Sequence, residues 1–275
     1  MSRSVSIVIP TFNRAALLPR AIESALAQTV PTEVIVCDHG STDNTPAVAA
    51  RYEGAIRYIR RDDDRGPIVC WRDGVEQANG ELIHLNFDDD WSDAAFVERT
   101  LPWLRDDVGL VYTRARIHHS AAEHTRVLLR HPPGIRPMGQ LVQFLLREKL
   151  PISPGCALFR RSDILKNLVA EVPGANGRYG KNSGVGEDLL LFLLAALDYP
   201  YYAHVPEALA HFLAHPTSIT TAAGDTGRMP ELVSAYSLAK QYYLHQPGAR
   251  QALRGVGAAF ERWRWNMSRT PTREA

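Results

Sequence analysis

What most constrains this chain is an alternation. Short apolar runs of strand length each break into a polar cluster, with helix-period segments between them. Val5 to Ile9 forms such a run and stops at ProThrPheAsnArg, as a strand buried on both faces of a parallel sheet would. Leu18, Ile22, Ala25 and Leu26 then recur at helical spacing. Val34 to Cys37 repeats the strand signal and stops at Asp38, before the turn-rich stretch HGSTDNTP. Asp43 or Thr45 is placed to cap a short helix through Arg51. Ile56 to Ile59 reads as a third strand, Ile68 to Ala78 as a helix capped by AsnGly, and Leu82 to Phe87 as a fourth strand. A helix from Phe96 to Leu104 and a strand from Leu110 to Tyr112 continue the series.

Strands alternating with helices imply βαβ units, right-handed crossovers and an α/β fold with a mostly parallel sheet. In such sheets ligands bind beyond the carboxyl ends of the strands. Three polar clusters fall at such ends: Thr11 to Arg14, Asp38 to Asp43, and Asp88 to Asp90. The sequence predicts that they converge on one rim.

The second part is less regular. His118 to Pro137 is basic and Pro-rich and reads as a long loop or excursion. Met138 to Glu148 is predicted helical, Ala157 to Phe159 extended, and Ser162 to Ala170 helical. Pro173 to Gly186 carries five glycines and reads as a flexible loop of the kind that forms lids. Glu187 and Asp188 open an apolar helix, and Pro230 to Trp265 holds two helical patterns broken at GlnProGly.

Charge and cysteine usage exclude several classes. A net charge of +1 gives no global attraction to nucleic acid or anionic lipid. Three scattered cysteines suit neither a disulfide framework nor a zinc knuckle, and point to a reducing, cytoplasmic setting. The N-terminus holds too few apolar residues for a signal peptide. No apolar stretch approaches the roughly 20 residues needed to span a bilayer. Trp263 and Trp265, interleaved with Arg262 and Arg264, leave peripheral membrane or partner contact open beside burial at home.

The stretch HLNFDDDWSD places three carboxylates directly after an apolar strand. Asp62 to Asp64 and Asp106 to Asp107 show that acid-rich turns are ordinary in this chain. A buried strand leading into Asp88 to Asp90 adds a second reading, a hard cation bound by carboxylates and substrate phosphates. Spacing alone leaves both readings open.

The order of motifs resembles the family 2 glycosyltransferases of GT-A fold, over roughly residues 4 to 220. SIVIPTFNR (residues 6–14) is similar to that family's opening strand and loop, and VIVCDHGSTD (34–43) to its second strand. RDGVEQANGELI (72–83) resembles its Arg-Asn-x-Gly segment, and Asp88 to Asp90 falls at the metal-binding DxD position. GEDLLL (186–191) resembles its Glu-Asp motif, and HFLAHPTSIT (211–220) its closing Arg-x-His segment.

The resemblance implies an inverting transfer of sugar from a nucleotide-diphosphate sugar, a UDP- or dTDP-sugar, to a glycan or lipid-linked acceptor, assisted by Mn²⁺ or Mg²⁺. Asp188 matches the general base and Glu187 its neighbour. Pro10, Thr11, Asn13, Asp38, Arg72, Asp88 and Asp89 match nucleotide-sugar positions, and Asp90 and His215 match metal positions. It also implies a nucleotide-sugar-binding half (residues 1–117), an acceptor-binding half (118–220) and a helical C-terminal extension (221–275). It leaves placement at the inner face of the membrane and homodimer formation open. Four positions depart from the pattern: His39 for aspartate, Asp73 for asparagine, Phe12 for tyrosine and Leu213 for arginine.

Rival functions fare less well. No GxGxxG follows the first strand, and GlyArgTyrGlyLysAsn lacks the residues of a P-loop. A nucleotide-sugar-binding module without catalysis and a metal-dependent nucleotidyltransferase remain as alternatives.

Overall fold

The computed structural model describes residues 3–119, 125–128, 132–148, 152–175 and 179–252. In chain order the elements are β1 (Val5–Thr11), α1 (Leu18–Leu26), β2 (Glu33–His39), α2 (Thr45–Ala50), β3 (Arg57–Arg61), α3 (Pro67–Gln77) and β4 (Leu82–Leu85). There follow β5 (Trp91–Ser92), α4 (Phe96–Thr100), β6 (Val108–His119), β7 (Thr125–Leu128), β8 (Gly134–Pro137), α5 (Met138–Arg147), β9 (Ala157–Arg160) and α6 (Arg161–Asn167). The last are α7 (Glu187–Ala195), β10 (Tyr201–Ala214), α8 (Ile219–Asp225), α9 (Met229–Leu244) and α10 (Ala249–Ala252).

The strands form one 10-stranded sheet in the order β3-β2-β1-β4-β9-β6-β10-β5, with β7 on β6 and β8 on β10. β3, β2, β1 and β4 pair parallel, as do β6 and β10. β9 runs antiparallel between β4 and β6. The sheet is therefore mostly parallel, as the alternation predicts.

Period-two alternation assigns each β1 side chain to a face. Val8 joins Ile35, Ile83, Tyr112, Phe159 and Phe192 beneath α3 and α7, while Ile7 and Ile9 join Ile22, Val36 and Phe96 beneath α1 and α4. Both faces are covered, so strand residues are apolar on successive positions. Each fully buried large side chain contributes about 1.5–3 kcal/mol.

Several expectations change. Part of the basic segment after His118 is sheet rather than loop: β6 continues to His119, β7 pairs it antiparallel, and β8 pairs β10. Main-chain pairing set by distant partners overrides a local composition rich in Pro and Arg. α3 ends on an extended Ala78 (ψ 139°) rather than on a left-handed glycine. Gly80 is instead needed for close approach, since a Cβ there would sit 2.6 Å from the Ser6 nitrogen. At α2, Asp43 accepts the Thr45 N–H at 2.9 Å, and Thr45 accepts the Arg14 N–H at 3.1 Å.

The glycine-rich stretch is pinned where described. Val172 N–H donates to Gly180 O at 2.7 Å, and Asn182 N–H to Ala170 O at 2.8 Å. Val172, Tyr179 and Val185 are buried. Of the tail, α9 and α10 are described; Trp263, Trp265, Arg262 and Arg264 lie outside the described residues.

Candidate active site

The parallel register brings the polar strand ends together. Thr11 lies opposite Asp38, and the Asn86 N–H that follows β4 donates to Val8 O at 3.0 Å. The Phe12 N–H reaches Asp88 Oδ2 at 3.3 Å, and Arg14 Nε lies 3.9 Å from Asp88 Oδ1. The first and third polar clusters thus share a rim.

The second cluster is stapled to the first. Asn13, in the left-handed region at φ 53°, accepts the N–H groups of Thr42 and Asp43 on its Oδ1 at 2.8 and 3.2 Å. Its own N–H donates to Ser41 Oγ at 2.8 Å. Asp38 is fully buried; its Oδ1 accepts the Ser41 N–H at 2.9 Å and its Oδ2 accepts the Tyr58 hydroxyl at 2.5 Å. Asn13 and Asp38, expected at the nucleotide, hold the loop from Ser41 to Asp43. Pro10 is buried within β1 opposite Cys37, and Thr11 is 1% exposed. At the rim above them the Phe12 and His39 rings lie 5.0 Å apart, and His39 Nδ1 bonds Asp64 at 2.7 Å.

Arg72, expected near the nucleotide, has partners of its own in the structure. Its guanidinium donates to the carbonyls of Leu165 at 3.2 Å and Leu168 at 2.8 Å, tying α3 to the end of α6. A helix residue's direction is set by its 100° step, which no motif match reveals. The neighbouring departure, Asp73, pairs with Arg61.

The acidic triplet fans out. Asp89 Oδ2 bonds His215 Nε2 at 3.0 Å, and Thr217 Oγ1 bonds the other ring nitrogen at 3.0 Å. Asp90 Oδ1 accepts the Leu213 N–H at 3.0 Å. The departure at 213 is thus met by main chain, which any side chain leaves available. Of the two residues expected as joint metal ligands, His215 bonds Asp89, while Asp90 accepts the Leu213 N–H.

Electrostatics favour a cation here. Burial, and then repulsion from Asp89, raises Asp88 to about 7 against the pull of Arg14 and the Phe12 N–H. The same two causes hold Asp90 well above the usual carboxylate range. The Asn86 amide, buried beside them, has neither oxygen nor nitrogen satisfied among the described residues. An oxygen-rich set with one histidine fits Mn²⁺ or Mg²⁺. Among the described residues no three His, Cys, Asp or Glu converge to hold an ion unaided.

Glu187 and Asp188 begin α7 after Gly184 and Gly186, both at positive φ. The turn reaches the rim through α3. Asn182 Oδ1 accepts the Val69 N–H at 3.2 Å, and a Cβ on Gly184 would lie 3.1 Å from the Trp71 ring. Trp71 in turn packs on Phe87 with ring centroids 5.1 Å apart, and Phe87 precedes Asp88. Asp188 Oδ1 accepts the N–H groups of Gly186 and Leu189 at 2.9 and 2.7 Å, and Oδ2 accepts the Tyr236 hydroxyl at 2.9 Å. Burial raises its carboxyl to about 7 against these donors. Glu187 faces inward to Ser183, with burial raising it to about 7 as well. A carboxyl raised towards neutrality by burial belongs to the class of groups that general base chemistry uses.

Sequence reasoning missed Trp71, Asn86 and Tyr236. Trp71 lies just before the recognised Arg72, and Asn86 just before the triplet. Tyr236 stands 48 residues from its partner, where no motif points to it.

Comparison with known proteins follows the same lines. Residues 6–168 match the family described as Glycosyl transferase family 2. The succinoglycan biosynthesis protein ExoO of Rhizobium meliloti (strain 1021) is 43% identical over 88 residues, 31% of this chain and 25% of that protein. The GalNAc(5)-diNAcBac-PP-undecaprenol beta-1,3-glucosyltransferase of Campylobacter jejuni is 35% identical over 98 residues, 31% of this chain and 29% of that protein. This chain therefore spans less than a third of the length of either relative. Among solved structures, S. aureus TarS 1-349 with UDP-GlcNAc has a TM-score of 0.64 at 16% identity, covering 96% of this chain and 73% of that one. The mannosyltransferase PcManGT of Pyrobaculum calidifontis, with GDP-Man and Mn²⁺, has a TM-score of 0.57 at 15% identity, covering 98% and 84%. These two share the GT-A-type fold.

Proposed function

The chain belongs to glycosyl transferase family 2, and from that premise we propose that it moves a sugar from a nucleotide-diphosphate sugar to an acceptor hydroxyl, inverting the anomeric centre. The observation that carries this reading is the single rim where Thr11, Asp38 and Asp88 end adjacent parallel strands and the Asp188 turn leans on the same Trp71–Phe87 pair. In this reading the nucleotide lies beside Phe12 and His39 and the diphosphate meets Asp88 to Asp90. Asp90 and His215, the latter bonded to Asp89, are the residues that would hold Mn²⁺ or Mg²⁺. When bound, the cation neutralises charge on the departing diphosphate. The complexes of TarS with UDP-GlcNAc and of PcManGT with GDP-Man and Mn²⁺ support a nucleotide sugar and a divalent ion.

Asp188 takes the proton of the acceptor hydroxyl as its oxygen bonds to the anomeric carbon and the sugar–phosphate bond breaks. The electron pair leaves on the diphosphate. Such a base contributes about 10²- to 10⁴-fold. The segment after residue 118 contributes the acceptor side, for a glycan or lipid-linked acceptor; the undecaprenol-linked name of the Campylobacter relative supports the latter. The three cysteines are free and buried, which supports a cytoplasmic setting. Among the described residues no helix is long and apolar enough to cross a membrane.

The test is incubation with UDP-glucose, UDP-N-acetylglucosamine, a dTDP-sugar and GDP-mannose, with Mn²⁺ or with a chelator. Release of nucleoside diphosphate that needs the ion, and that Asp188→Asn abolishes, is the expected result. Release of pyrophosphate would instead identify a nucleotidyltransferase. Binding without turnover would identify a module that has lost catalysis.

A further inference from the structure

Tyr236 lies far outside the family match, on a helix no motif singles out, yet its hydroxyl donates to Asp188 Oδ2 at 2.9 Å. The reach depends on close packing between α9 and the start of α7. Gly186 sits at φ +90°, and a Cβ there would lie 3.1 Å from Ala235 O and 3.4 Å from the Ala239 Cβ. A glycine facing two alanines lets the helices meet, and the next residue after Ala235 is the tyrosine.

The hydrogen bonds divide the carboxylate. Oδ1 accepts two main-chain N–H groups, from Gly186 and Leu189, and has no lone pair left over. Among the described residues Oδ2 accepts only the phenol, so one lone pair there is open. We propose that Tyr236 is a positioning residue for the base: it fixes the Asp188 carboxylate so that the acceptor proton goes to the open lone pair of Oδ2, and it favours the ionised form that can take it. This inference rests on the reading of Asp188 as general base. After transfer, the Oδ2–H bond replaces the acceptor O–H bond, and the phenol keeps its own proton, since burial holds it well above its ordinary range.

The titratable neighbours of the carboxylate are Glu187 on its own helix and Tyr236 on α9. α3 meets the turn through the ring of Trp71. The phenol favours the charged carboxylate, and removing it leaves Glu187 and burial to raise the pKa further.

The experiment is the pH profile of nucleoside diphosphate release from whichever of UDP-glucose, UDP-N-acetylglucosamine and GDP-mannose turns over, with Mn²⁺. Wild type is compared with Tyr236→Phe. The wild-type acid limb is expected near pH 7, where burial places the Asp188 carboxyl. In Tyr236→Phe it moves up by about one pH unit, with a loss of about tenfold below pH 7 that closes towards wild type by about pH 9. An unmoved limb, whatever the height of the profile, overturns the inference, because a merely structural loss scales the whole curve. If Tyr236→Phe does not fold, 3-fluorotyrosine placed at position 236 alone supplies a stronger donor of nearly the same shape. It should move the limb the other way, and an unmoved limb again overturns the inference. Should Asp188→Asn retain turnover, the base reading itself falls and takes this inference with it. If Asp188→Asn is inactive and the limb stays still, only the role of Tyr236 falls.

Discussion

Asp188→Asn should make the protein more stable at pH 8 while removing its activity. The side chain ionises near 7 in the folded state against 3.8 ordinarily, because burial disfavours its charge. For a carboxyl raised in this way, the folded state holds the proton longer than the unfolded one. Its stabilising contribution is complete below about pH 3.8 and is lost as the pH rises through 7. At about 1.4 kcal/mol per pH unit the gap corresponds to about 4 kcal/mol. Halving it for the part of the side chain open to solvent leaves about 2 kcal/mol. Asparagine keeps the shape: its oxygen can accept the Gly186 and Leu189 N–H groups, and its amide can donate to Tyr236. Thermal or urea unfolding at pH 5 and pH 8 measures the effect. The variant should gain over wild type as pH rises, by about 4–8 °C in midpoint at pH 8. A variant less stable than wild type at pH 8, or a difference that does not change with pH, would refute the electrostatic reasoning.

Two further outcomes follow from the geometry. Asp90→Asn should remove the increment that Mn²⁺ adds to the midpoint in the presence of UDP, leaving at most that from UDP alone; an intact Mn²⁺ increment places the ion elsewhere. Arg72→Ala should cost about 1–3 kcal/mol by leaving the Leu165 and Leu168 carbonyls without their donor, yet leave UDP affinity within about twofold. A large loss of UDP affinity without loss of stability would return Arg72 to the nucleotide.

β1, β2 and β4 were legible because each is short, apolar and followed by a polar turn, and because parallel strands buried on both faces leave no other pattern. The shared rim followed from topology alone. What stayed hidden needs partners distant in sequence. β7 and β8 carry no strand-like composition and exist because β6 and β10 offer open edges. The direction of Arg72 depends on helix phase. Tyr236 reaches Asp188 only because Gly186, Ala235 and Ala239 are all small. The Leu213 main-chain contact to Asp90 is likewise invisible to a motif match.

The place of β9 has a consequence for biogenesis. It slots antiparallel between β4 and β6, although all four residues of it follow both in the chain. Until residue 160 has left the ribosome, β4 and β6 each present an unsatisfied edge, and no main-chain ladder joins the two halves of the sheet. Nascent chains stalled before that point should be the sticky ones, prone to pairing with one another. The family match ends at residue 168, just past the strand that seals this seam.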